Sequence, residues 1–155
     1  MATDNVTQTT EEGATNTIVA GIGGGLVGGV VFGAMMTMLM PMIMEGAIPG
    51  MYGLAGGLGV GWGIHLFHSA VLGAVFAGIV AAKPDLVDST GKLVGVGVAY
   101  GVVLWVVLAT FVMPAWVGAM TPMAPPVPDV NPMSLVGHVA YGAVLAGVFA
   151  AVADR

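Results

Sequence analysis

Four long apolar runs, near residues 17–44, 58–82, 92–117 and 133–152, alternate with short polar or glycine- and proline-rich connections. Each is long enough to cross the bilayer as a helix, which takes ~20 residues for ~30 Å of hydrocarbon. No Asp, Glu, Lys or Arg falls inside the runs, and Glu45 and Lys92 stand at their margins. The pattern predicts an all-α, polytopic membrane protein with four transmembrane helices.

Composition agrees: 57% of the residues are hydrophobic and 7% charged, where a water-soluble domain carries roughly a quarter charged residues. The head, residues 1–16, holds Asp4, Glu11 and Glu12 without a cation. A cleavable signal peptide needs a basic start and a short apolar core, so 17–44 reads as a retained helix. The absence of cysteine excludes disulfides, thiolate metal sites and cysteine nucleophiles. Three cations in all, Lys83, Lys92 and Arg155, leave no basic footprint for nucleic acid. With four crossings these three share one face, which the positive-inside rule makes cytoplasmic. Both termini are therefore expected in the cytoplasm of a plasma-membrane protein, with loops 45–57 and 118–132 outside.

The sequence matches itself without gaps at an offset of 73, pairing Gly24 with Gly97, Gly28 with Gly101, Thr37 with Thr110, Met40-Pro41 with Met113-Pro114 and His65 with His138. Aliphatic matches arise by chance in such a sequence, whereas rarer His, Pro and Thr-x-x-Met-Pro matches point to duplication. The expected organisation is an acidic tail (1–16), a first two-helix repeat (17–82), a cytoplasmic loop (83–92) and a second repeat (93–155). Two crossings per repeat give parallel copies about an axis along the membrane normal, so equivalent residues share a depth.

Within the first helix Gly21, Gly25, Gly29 and Gly33 recur every fourth residue. Such a stripe lets another backbone approach closely, either within the bundle or at a subunit contact. Pro41 and Pro114 should kink or end their helices, with Thr37 and Thr110 placed to bond nearby carbonyls. Residues 46–61 read as flexible, and the proline-rich 121–132 as extended and stiff.

Candidate chemistry is confined to His65, His68, His138 and Tyr141. His65 and His68 are three apart and share a helix face, as do His138 and Tyr141. Ionisable residues at membrane depth point to function. Two histidines at one depth can ligate haem iron from both faces, or a metal with His68, and Gly61, Gly63 and Gly137 leave room beside them. The alternatives are polar packing across helices and a quinone-type or proton-linked site. Met35, Met36, Met38, Met40, Met42 and Met44 crowd the end of the first helix. Thioethers select Cu(I), but methionine is also an adaptable apolar filler, and alternate helical residues do not converge. No nucleotide loop follows a strand and no carboxylate is placed as a base in the bilayer, so no catalytic residue is expected.

The runs His65-Leu-Phe-His68-Ser-Ala-Val-Leu-Gly and Gly137-His138-Val-Ala-Tyr141-Gly make the chain resemble small uncharacterised four-helix membrane proteins of halophilic archaea. Some of those are labelled histidine kinases, an activity this sequence does not support. The sequence points to a non-catalytic accessory or assembly subunit of a larger membrane complex, with a respiratory oxidase as candidate host and other membrane subunits or a homo-oligomer as partners. A small haem- or copper-binding protein using His65 and His138 is the alternative, and an oligomeric transporter or channel the third.

Overall fold

The computed structural model describes residues 2–86 and 88–153, with 2–12 and 86 by backbone alone. The side chains of Asp4, Glu11, Glu12 and Arg155, which entered the expectations about the acidic tail and the orientation, lie outside the described residues.

All regular structure among the described residues is helical. Helix α1 (Ala2–Leu39) is followed by a π-helical turn (Ile43–Ala47) and the short α2 (Ile48–Gly50). Helix α3 (Leu58–Ala82) returns to a 3-10 turn (Pro84–Leu86). The third crossing is compound: α4 (Thr90–Leu104), a π-helical stretch (Trp105–Val112) and α5 (Met113–Met120). Helix α6 (Pro132–Val152) completes the bundle. Four stretches, Gly13–Leu39, Leu58–Ala82, Thr90–Met120 and Pro132–Val152, are long and apolar enough to span a membrane. Val103, Val107 and Phe111 point outward, half exposed, a surface suited to lipid and costly in water.

Glycine sets the closeness of packing. A Cβ at Gly21 would strike the Gly73 carbonyl, one at Gly25 the Ser69 carbonyl and one at Gly29 the Ser69 side chain, while Gly33 gives room to the Trp62 ring. The whole stripe therefore faces α3 of the same chain. Gly24 and Gly28, one step round, face the Leu145 and Tyr141 carbonyls of α6. On the other side of α6, Gly97 and Gly142 meet backbone to backbone, and Gly101 lies against the His138 carbonyl. Such small residues allow the van der Waals contact that holds helices together in lipid.

Consequently α1 packs along both α3 and α6, and α6 along both α1 and α4. The spans follow one another α3, α1, α6, α4 around an arc. Its two ends, α3 and α4, meet through side chains: the Tyr100 hydroxyl donates to the Leu72 carbonyl at 2.8 Å, and Phe76 packs at a tilt against Tyr100 and edge-on to Phe149 of α6. A long side chain at 100, where the matching position 27 is valine, bridges the helices while keeping them apart.

The apolar run to residue 44 is not one helix: α1 ends at Leu39, two residues before Pro41, as expected of a residue whose ring excludes a regular α-helical bond. Nor is all of 46–61 a flexible loop: Ala47, Ile48, Pro49, Gly50 and Met51 are buried, since their apolar side chains fold a helical turn back into the bundle. Thr37 behaves as its position suggests, its hydroxyl donating to the Gly33 carbonyl at 2.8 Å. Thr110 does not. It sits in the π stretch, where carbonyls address residue i+5; its buried hydroxyl has no partner, and its carbonyl accepts the Asp129 N–H at 2.9 Å. That bond draws the proline-rich connection down onto the bundle.

Candidate functional site

The gap between the ends of the arc is closed by Tyr100 toward the end bearing Lys83 and Lys92. Toward the opposite end, which bears the proline-rich connection, it widens into a cavity of about 410 Å³, within the roughly 300–1,000 Å³ of small-molecule sites. Phe32 and Met36 of α1 and Tyr141 of α6 line its inner part, and Leu104 and Leu108 line the third crossing. Phe67, Val71 and Val112 also line it, yet are 64%, 46% and 43% exposed on the outer surface of the bundle. The cavity therefore opens sideways at membrane depth, toward lipid.

All three histidines reach this space. His65 is buried, and its Nε2 lies 2.9 Å from the Gly29 carbonyl on α1. A carbonyl only accepts, so Nε2 carries the proton; in the neutral ring Nδ1 then holds a lone pair. His138 is arranged the other way: Nδ1 lies 2.8 Å from the Ser134 carbonyl one turn earlier, leaving the lone pair on Nε2. His68 sits nearer the mouth, where its Nε2 pairs with the Tyr52 hydroxyl and Tyr52 packs against Trp116. Tyr141 is buried and spends its O–H on the Ser69 carbonyl at 2.8 Å; Ser69 in turn donates to the His65 carbonyl at 2.8 Å.

The structure thus gathers His65, His68, His138 and Tyr141 around one space, but the room expected beside the imidazoles is partly taken. A Cβ at Gly137 would fall on the Phe32 ring and one at Gly61 on the Met44 carbonyl, so only Gly63 of the three opens onto free space. Phe32 packs edge-on to both imidazoles, with ring centroids 5.6 Å from His65 and 4.7 Å from His138. That aromatic filling stands against a haem plane clamped between the two rings. The methionines diverge, as helical geometry requires: Met36 is buried at 4% exposure and Met40 lines the cavity, while Met38 and Met42 are 79% and 73% exposed. Among the described residues no group of three or more His, Asp or Glu side chains is placed to hold a metal.

Sequence reasoning missed several residues here. Ser134 had a readable signal, standing four before His138 on the same helix face. Asn131 caps α6 through Oδ1, accepting from the Met133 and Ser134 N–H groups at 2.9 and 3.1 Å, while its carbonyl accepts from Trp105 Nε1 at 3.2 Å. It ties the connection to both walls of the cavity. Phe32 and Tyr52 carried no signal, because their contacts depend on which way α1 and the 40–57 segment turn. No known protein family matches the chain, and neither does any curated protein or solved structure.

Proposed function

We propose that this chain is a non-catalytic membrane subunit that holds a lipophilic molecule in the lateral cavity beneath the proline-rich connection. The observation that carries the reading is the sideways opening between α3 and the third crossing, which gives a molecule dissolved in the bilayer a path to buried imidazoles without crossing water. Polar groups inside a largely apolar pocket are what orient such ligands. The role fits an accessory or assembly subunit of a larger complex, with a respiratory oxidase as candidate host, and both termini cytoplasmic by the distribution of Lys83 and Lys92.

The test is purification from native membranes in mild detergent, followed by organic extraction and mass spectrometry. A stoichiometric lipophile is expected from the natural protein and its loss from Leu108→Trp, which fills the cavity wall. An extract holding only bulk lipid in both would remove the reading. Partners that survive mild detergent would identify the complex.

A copper-holding role is the second reading, favoured by Met36, Met40, Met51 and Met113 lining the same cavity as the histidine lone pairs, a soft donor set suited to Cu(I). Metal analysis of the same preparation separates the two.

We also infer that the two hairpins arose by duplication. Both pack glycine to glycine, Gly25 on Gly73 and Gly97 on Gly142. The rotations differ, since Gly97 matches Gly24 in sequence and Gly24 faces α6 instead.

A further inference from the structure

The hydrogen-bonding character of the cavity floor narrows the class of molecule it takes. Three hydroxyls of the bundle already donate to backbone carbonyls: Tyr141 to Ser69, Ser69 to His65, and Tyr100 to Leu72. The ring protons of His65 and His138 are likewise committed, to Gly29 and Ser134. What remains on these groups is acceptor capacity, on Nδ1 of His65 and Nε2 of His138. Among the described residues neither nitrogen has a partner, and the one enclosed, unpartnered side-chain atom is Thr110 Oγ1. The two lone pairs therefore keep access to open space, and the space both residues line is the cavity.

We propose that the cavity selects a lipophile that donates hydrogen bonds, a phenol or quinol head on an apolar tail, over the corresponding carbonyl compound. The proposal rests on the lipophile-holding reading above and adds the ligand's polarity. A quinol O–H meets an imidazole lone pair, whereas a quinone oxygen brought to the same place sets acceptor against acceptor and leaves both desolvated. Aromatic walls suit a planar head: Phe32 and Phe67 line the inner and lipid sides, and Trp116 stands at the mouth. Donors also stand on the wall, on Ser134, whose Oγ lies 3.4 Å from His138 Nδ1, on Asn131, whose Nδ2 has a thioether as its acceptor, on Trp116 and on the Tyr52–His68 pair; the selectivity belongs to a head group seated against the two imidazole lone pairs. The two histidines use opposite ring nitrogens because each turns its proton to a carbonyl, His65 to that of Gly29 and His138 to that of Ser134.

The experiment measures binding of a decyl-substituted benzoquinol and of the matching benzoquinone to the detergent-purified full chain, under anaerobic conditions. The quinol is expected to bind at least about 10-fold more tightly, since the quinone leaves both acceptors unpaired in an apolar site. His138→Phe should weaken quinol binding and narrow the preference, while Leu108→Trp should abolish binding of both forms. A decyl phenol with one hydroxyl is expected to fall between them. Equal affinities, a preference for the quinone, or an unchanged preference in His138→Phe would overturn the proposal. Failure of all three probes would overturn it as well. If native extraction then still yields a stoichiometric lipophile without a hydroxyl, the lipophile-holding function stands and only the donor selectivity falls. If extraction yields none, both fall.

Discussion

The ring of Phe32 fills the notch that Gly137 leaves in α6. This one contact places an aromatic side chain of α1 against both His65 and His138 and sets the inner limit of the cavity. A side chain at 137 would push Phe32 away, and overpacking of this kind costs roughly 1–3 kcal/mol. Gly137→Val is therefore expected to lower the thermal midpoint in detergent, whereas Gly147→Val, on the same helix with no atom near its Cβ position, should change it little. Equal midpoints would show that the ring is not held there.

The glycines of α1 divide by face. Gly25 is pressed against the Ser69 carbonyl and Gly73, while Gly23 has nothing within 4 Å. Gly25→Leu should prevent α1 and α3 from closing and leave an inserted but protease-sensitive chain, and Gly23→Leu should resist proteolysis like the natural protein. Because the stripe's partner is α3 of the same chain, the defect is expected at any protein concentration. A Gly25→Leu protein that folds normally yet changes its oligomeric state would mean the stripe serves a subunit contact after all.

Tyr100 holds the ends of the arc together. Its hydrogen bond to Leu72 crosses between helices in a membrane, where such bonds average about 0.6 kcal/mol. Tyr100→Phe should thus cost little, on that scale, because the ring still packs on Phe76. Tyr100→Ala removes the ring and should cost about 3–5 kcal/mol, the usual range for deleting a buried aromatic side chain. Thermal unfolding of both variants in one detergent reads the difference; comparable losses would place the stabilisation in the hydroxyl rather than the ring.

The sequence made the four spans legible because lipid imposes a length and excludes charge, and both constraints act residue by residue. It also paired His65 with His138 through the repeat, and both rings pack against Phe32. The arc was not legible. Whether Gly97 turns toward α6 or toward α3 depends on a rotation of α4 that its glycines permit either way; in the structure Gly97 meets Gly142 of α6, and Tyr100 reaches across to α3. The burial of 47–51 was hidden for a related reason, as Gly46 and Gly50 read as loop residues while Ile48 and Met51 between and beside them supply the apolar contacts. Equally hidden was the Asp129 bond to Thr110, at a carbonyl whose α-helical donor would be residue 114, a proline without an N–H.

Charge predicts the sidedness of the bundle, and the chain lends itself to a direct test because it contains no cysteine. Lys83 and Lys92 flank one connection, and Lys92 pairs there with Asp88 through exposed side chains, so both cations belong to the surface of that end. The opposite end carries the exposed 122–124 segment and no cation. Cations near the ends of short loops are retained on the cytoplasmic side during insertion, whereas acidic residues contribute little. The net charge of −5 therefore does not weaken the assignment. In intact cells, Ala124→Cys is expected to react with a membrane-impermeant maleimide and Asp85→Cys only after permeabilisation. Both positions are exposed, so failure to label reflects sidedness rather than burial. The reverse pattern would invert the protein in the membrane and put the cavity in the cytoplasmic leaflet, leaving its lateral opening and its acceptor floor unchanged but drawing its ligand from the other side.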